Sequence, residues 1–177
     1  DATDWNIQRY RVFGNVFAEI EFLKDLKFRT MLGLDVTFTG ETIFKSRLSA
    51  AIYDPTSLSQ GSVTNRNLVW NNLLTYNVSL DNDNHRLGFV AGMEMIDNRT
   101  DFLGASARNF FTDNPNFRFI DNSLNQELGD IDASGIASEW GLLSYFGQAS
   151  YNFKRRYVLN ASVRADGSSR FGDNNKW

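Results

Sequence analysis

The sequence predicts an all-β fold of long antiparallel strands. Three observations carry that prediction: apolar and polar residues alternate with period two, tight turns join the alternating runs in pairs, and long polar stretches separate the pairs. The clearest run is residues 26–38, LKFRTMLGLDVTF. Its even positions are Leu26, Phe28, Thr30, Leu32, Leu34, Val36 and Phe38, and its odd positions are Lys27, Arg29, Met31, Gly33, Asp35 and Thr37. Successive side chains of a strand point to opposite faces, so this run has one apolar face and one polar face.

The elements follow in order. The run before it shows the same contrast less cleanly: Val12, Gly14, Val16, Ala18, Ile20 and Phe22 oppose Arg11, Phe13, Asn15, Phe17, Glu19 and Glu21. A hairpin through Leu23-Lys24-Asp25 pairs Phe22 with Leu26, Glu21 with Lys27 and Glu19 with Arg29, apolar on apolar and acid on base. A slip of one residue would put charge on the apolar face, so the register is well specified. A second hairpin joins residues 70–80 to 86–95 through Asp81-Asn82-Asp83-Asn84. Leu87, Phe89, Ala91, Met93 and Met95 share one face of it, and Glu94 falls on the other. A third joins residues 141–153 to 157–166 at Lys154-Arg155-Arg156. Leu143, Tyr145, Gly147, Ala149, Tyr151 and Phe153 meet Tyr157, Leu159, Ala161, Val163 and Ala165. Ser144, Gln148, Ser150 and Asn152 meet Asn160, Ser162, Arg164 and Asp166 on the opposite face.

These runs make six strands, with tight turns near residues 24, 82 and 155 and long polar segments at 39–68 and 96–139. Both prolines, Pro55 and Pro115, fall in the long segments. Such asymmetry, with strands of about ten residues, is what a transmembrane outer-membrane β-barrel requires. Aromatics near the strand ends (Trp70, Trp140 and Tyr145; Tyr151, Phe153 and Tyr157) suit interfacial girdles. The expectation is therefore about six strands of a larger barrel, with long extracellular loops and tight periplasmic turns. Residues 1–177 would be a partial barrel domain whose remaining strands lie elsewhere. A soluble β-sandwich also alternates, but its strands usually run about five or six residues.

Composition narrows the chemistry. A net charge of -3 and a pI near 5.1 argue against a nucleic-acid partner. The absence of Cys excludes disulfide scaffolds, thiolate metal sites and Cys nucleophiles. The single His, His85, excludes multi-histidine metal centres and reads as a solvated residue beside a polar turn. DNDNHR starts like a calcium loop at Asp81 and Asp83, but His85 and Arg86 stand where a ligand and a glycine are needed. The Asp- and Asn-rich stretch holding Asp113, Asn114, Asn116, Asp121, Asn122, Asp130 and Asp132 reads as solvated loop. GSSRFG matches neither the phosphate-loop nor the dinucleotide pattern, and Ser168 and Ser169 have no His nearby in sequence. Neither an enzyme nor a metal or other cofactor is expected. The chain opens on Asp1 rather than Met and closes on Trp177, and both ends read as cuts through a longer protein.

Residues 143–177, LSYFGQASYNFKRRYVLNASVRADGSSRFGDNNKW, resemble the SusC/RagA group of TonB-dependent outer-membrane transporters of Bacteroidetes. The resemblance runs through Ser144, Tyr145, Phe146, Gly147, Tyr151, Arg156, Tyr157 and Arg164. It continues through the motif Asp166, Gly167, Ser168, Ser169, Arg170 and Phe171 to Gly172, Asn175, Lys176 and Trp177. It implies a barrel of about 22 strands, set in outer-membrane lipid, with a plug domain in its lumen. It further implies uptake of an oligosaccharide or peptide with a SusD-like surface lipoprotein, energised by TonB through an N-terminal region outside this sequence. Plug and TonB box are not in the sequence. On this reading the lumen-lining candidates are Arg11, Asn15, Glu19, Glu21, Lys27, Arg29, Asp35, Glu94, Gln148, Asn160, Arg164 and Asp166. Arg164, Asp166 and Arg170 are expected to join a lumen charge network. The alternative reading is a soluble, secreted carbohydrate-binding module using Phe110, Phe111 and Phe117 as stacking platforms.

Overall fold

The computed structural model describes residues 3–47, 55–124, 126 and 129–172. Six strands form one antiparallel sheet in chain order: β1 Thr3–Leu23, β2 Leu26–Lys45, β3 Ser57–Leu80, β4 His85–Arg108, β5 Ile131–Phe153 and β6 Tyr157–Ser168. The all-β expectation holds, as does the pairing of runs into hairpins. In the third hairpin Phe153 pairs with Tyr157, Tyr151 with Leu159, Gln148 with Ser162 and Ser144 with Asp166, the register the alternation predicts. In the first, a Cβ built on Gly33 would lie 3.9 Å from the Cβ of Asn15, which agrees with the predicted pairing.

Strand length differs from expectation. β3 and β4 each run 24 residues, where the alternation marks about ten. Much of what reads as polar loop at 39–68 and 96–139 is strand, and the connections shrink to residues 46–56 and 109–130. Apolar alternation marks a strand only where one face meets an apolar medium. In SLSQGSVTNRN, at the start of β3, polar residues fall on both faces, so no alternation marks the strand, and its backbone ladder is joined by one buried side chain, Leu58. Trp70, Trp140 and Tyr145 consequently lie inside strands rather than at their ends.

The chain divides into two compact units. The first comprises residues 1–12, 36–66 and 99–138; the second comprises 13–35, 67–98 and 139–177. All three tight turns belong to the second unit, and both longer connections to the first. The first unit has a small core of Phe44, Leu58, Ala107 and Phe110, flanked by Ile120 and Ile131. Phe44 and Phe110 meet edge to face, with centroids 5.8 Å apart. The Thr56 hydroxyl accepts from the Phe110 amide at 2.7 Å. Phe110 is 1% exposed, so it is core and not a stacking platform.

The second unit has almost no interior of its own. Its apolar face stays open, with Val16, Ile20 and Phe22 of β1 between 53% and 69% exposed. Among the described residues, no helix is long and apolar enough to cross a membrane.

Candidate functional site

On the polar face of the second unit, β4, β5 and β6 converge on one guanidinium. The Arg164 side chain donates to Asp166 Oδ1 at 2.7 Å, Glu94 Oε1 at 2.9 Å and Ser144 Oγ at 2.9 Å. Ser144 is fully buried at this junction. Arg164 and Asp166 share a face because they lie two apart on β6, and pairing with β5 sets Asp166 directly opposite Ser144. Beneath the guanidinium lies the ring of Phe146, 5.6 Å away. That ring occupies the space above Gly92, where a Cβ would meet Phe146 Cζ at 2.2 Å. Only the missing side chain at Gly92 leaves room for the end of this ring over β4. Glu94, Phe146 and Arg164 border a hollow of about 370 Å³ completed by Arg29, Met31, Asn71, Asn72 and Leu73.

The arrangement can hold polar or charged groups, but it carries no activated nucleophile. The three ionic side chains are 27–44% exposed, so solvent screens each pair and its contribution to stability is small. The network's main effect is to fix three neighbouring strands in register.

The remaining expected site residues lie as follows. Lys27 sits between Glu21 at 3.9 Å and Glu19 at 4.0 Å, while Arg29 covers the Phe17 ring at 4.3 Å. Arg11 and Asn15 are exposed on β1, and Asp35 is half-buried on β2. Gln148 and Asn160 are exposed and paired with Ser162 and Ser150. Sequence reasoning left Phe146 and Gly92 out of the site. A polar-face aromatic opposite a glycine on a neighbouring strand is the signal that marks them.

The motif after Asp166 ends the strand. The Ser169 amide donates to the Gly141 carbonyl at 2.9 Å, and the Gly141 amide returns a bond to Ser169 Oγ at 2.8 Å. Ser168 Oγ accepts from the Arg170 amide, and the Phe171 amide reaches the Ser168 carbonyl. Together these bonds turn the chain off the sheet. Arg170 leaves the expected charge network and stacks over Trp140 at 5.2 Å. Asn175, Lys176 and Trp177 lie outside the described residues.

His85 is not a solvated loop residue. It is the first residue of β4, half-buried, with Nδ1 2.7 Å from the Tyr151 hydroxyl and its ring 4.9 Å from that of Phe153. Tyr157 extends the cluster through Phe153. In the first unit, the Asp/Asn-rich connection is occupied by its own backbone. Asn114 caps a short 3₁₀ turn at Pro115–Phe117, Asn122 donates to the Phe117 carbonyl, and Asn109 donates to Asp130. Arg118 lies 4.0 Å over the Phe44 ring, bonds the Asp113 carbonyl and pairs with Asp4. No group of three metal-ligating side chains occurs among the described residues.

No protein-family model matches the chain. It is 29% identical over 166 residues, 92% of its length, to "TonB-dependent receptor P3" of Formosa agariphila, and 28% identical over 174 residues to "TonB-dependent receptor SusC" of Bacteroides thetaiotaomicron. It superposes on the structure of the RagAB peptide transporter with a TM-score of 0.88 over 99% of its length, at 25% identity. By sequence and fold the chain is similar to TonB-dependent receptors of the SusC/RagA type. It spans 16% of the length of these two relatives and 19% of the matched transporter chain. Within this SusC/RagA-type sheet, DGSSRF is the point where β6 is fastened to β5 and released from the sheet.

Proposed function

We propose that this chain is a stretch of barrel wall from an outer-membrane nutrient importer of SusC/RagA type. It is not an enzyme, and residues 1–177 form a partial barrel domain completed by strands and a plug outside them. One observation carries the reading: the second unit has two unlike faces and no core. Val16, Ile20 and Phe22 of β1, with Leu32 and Leu34 of β2, are exposed on one face, where lipid would cover them. The other holds the Lys27 and Arg164 networks, which suit a water-filled lumen. The aromatic cluster of His85, Tyr151, Phe153 and Tyr157 stands next to the tight turns, as an interfacial girdle does at the periplasmic boundary.

Arg11, Asn15, Glu19, Glu21, Lys27, Arg29, Asp35, Glu94, Gln148, Asn160, Arg164 and Asp166 line the lumen in this reading, most of them as wall. Import takes a glycan or peptide, with a SusD-like lipoprotein at the surface and TonB acting through the plug. The likeness to the RagAB peptide transporter supports the peptide class. Expression of the full-length gene tests the proposal. The product should fractionate with the outer membrane and leave it only in detergent; a folded, monodisperse protein in plain buffer would refute it. Growth of a deletion strain on defined glycans and on peptides then identifies the substrate.

A further inference from the structure

In the second unit, the apolar face carries a shallow hollow of about 460 Å³. Four small residues line it, Ala91 of β4, Gly147 and Ala149 of β5 and Ala161 of β6, with Leu74 of β3 and Phe89 of β4 beside them. Ala149 pairs directly with Ala161. The hollow centres on β5, which has β4 on one side and β6 on the other, so small side chains make it and not a missing strand. Small residues among larger apolar ones leave a groove whose walls gain contacts when a flexible hydrocarbon chain fills it.

From Ala149, β5 runs on to its end at Phe153, about 13 Å further at 3.3 Å per residue. The turn that follows, Lys154-Arg155-Arg156, is exposed. Its backbone donors are all used: the Lys154 amide on the Asn84 carbonyl at 2.7 Å, the Arg155 amide on Asn152 Oδ1 at 2.9 Å and the Arg156 amide on the Phe153 carbonyl at 3.0 Å. Three cationic side chains are what the turn leaves for a ligand. None of them forms an ion pair among the described residues, and the sequence from Trp140 to Ala165 contains no acid. Asp83, whose charge Arg155 also feels, is already paired with Arg86 at 3.2 Å. Lys154 and Arg155 take φ values of 51° and 57°, a left-handed pair that Asn-Gly adopts with least strain. Two long cations held there despite the strain point to a use for their charge. Lys154 Nζ lies 5.2 Å from the centroid of Phe153, a ring of the apolar face, so the ammonium group stands at the rim of that face.

We propose that the β5–β6 hairpin binds an anionic phospholipid, with the headgroup phosphate at Lys154-Arg155-Arg156 and one acyl chain in the hollow at Gly147, Ala149 and Ala161. Cations at the rim of an apolar surface meet an anionic headgroup and its chain together. An acidic protein surface would satisfy the charges and leave the hollow empty. The site rests on the reading that lipid covers the apolar face, and it adds which lipid.

The test uses full-length protein in detergent and two phospholipids with identical chains, phosphatidylglycerol and phosphatidylcholine, with bound lipid counted by native mass spectrometry. Phosphatidylglycerol should bind about tenfold or more tighter, since several cations act on its net negative charge. Replacing the three cations together (Lys154→Gln, Arg155→Gln and Arg156→Gln) should abolish that preference. Ala149→Phe, which fills the hollow, should weaken long-chain phosphatidylglycerol and leave a short-chain form that cannot reach the hollow unaffected. Equal affinity for the two lipids, an undiminished preference in the triple variant, full long-chain affinity in Ala149→Phe, or competition by inorganic phosphate overturns the proposal. Detergent-dependent protein without a lipid preference removes this site and leaves the importer reading standing. Protein that is folded and monodisperse in plain buffer removes both.

Discussion

A methyl group at position 92 would lie 2.2 Å from Phe146 Cζ, so Gly92→Ala must swing the ring out from under Arg164. Overpacking of this kind costs about 1–3 kcal/mol. The full-length variant should unfold at lower temperature in detergent, and a second change, Phe146→Leu, should restore most of the loss. Unchanged unfolding in Gly92→Ala would show that the ring does not anchor β4 to β5. Asp166→Ala removes one acceptor of Arg164 and the residue opposite buried Ser144. It should lower the fraction of folded barrel recovered from membranes while ligand affinity of the assembled protein stays the same; normal assembly with lost binding would contradict this. The lone residues were the least legible in the sequence. Gly92 reads as any small residue on a polar face, because its role is set by a ring on another strand. Phe110 reads as an exposed loop aromatic, because nothing local reveals that Phe44 and Leu58 close over it.

Strand identity and hairpin register were legible because charge and apolarity alternate on both sides of each tight turn, with aromatics such as Phe17 and Phe146 the exceptions on the polar face. The outer halves of the strands were not, since there apolar residues such as Phe44, Leu58 and Ala107 do not alternate regularly with polar ones and the ladder is held by backbone groups common to every residue. The connections illustrate the same division. Asp81, Asn82 and Asp83 take φ values of 51°, 47° and 69°, a left-handed run that Asp and Asn tolerate better than other non-glycine residues. In that turn the Asp83 carboxyl is held below its ordinary value by a hydrogen bond with Ser79 and then by the charge of Arg86, 3.2 Å away. A carboxyl depressed in the folded state stabilises it at neutral pH, and that stabilisation fades as pH falls below about 3.8. Asp83→Asn should therefore flatten the acid limb of an unfolding-versus-pH curve; an identical acid limb would assign it to other carboxylates. On the longer connection, Asn114→Ala should cost about 1 kcal/mol of local order through loss of its cap. The readout is faster proteolysis within residues 109–130, with global unfolding unchanged.

For the molecule as a whole, the proposed membrane face makes a parity test possible. Val16→Arg would place a charge on the apolar face of β1, at a cost of about 2–4 kcal/mol near a bilayer midplane. Asn15→Arg, one residue away, would place it on the polar face. Only the first should reduce the amount of folded protein in outer-membrane fractions, and equal loss in both would argue against lipid on that face. The neighbouring hairpins are also joined to one another at their turns: the Asn77 amide donates to the Asp25 carbonyl at 3.0 Å, and the Lys154 amide to the Asn84 carbonyl at 2.7 Å. The first two turns thus end in a carbonyl that receives the next hairpin. At its turns such a sheet can gain or lose a hairpin without rewriting its neighbours, because there the seam asks only for a backbone amide. Side-chain ties between hairpins, such as Phe146 above Gly92 and Arg164 with Glu94, lie further along the strands. Growth by pairs of strands is then a small evolutionary step, and a wall built this way can widen around a larger cargo while every existing residue keeps its face.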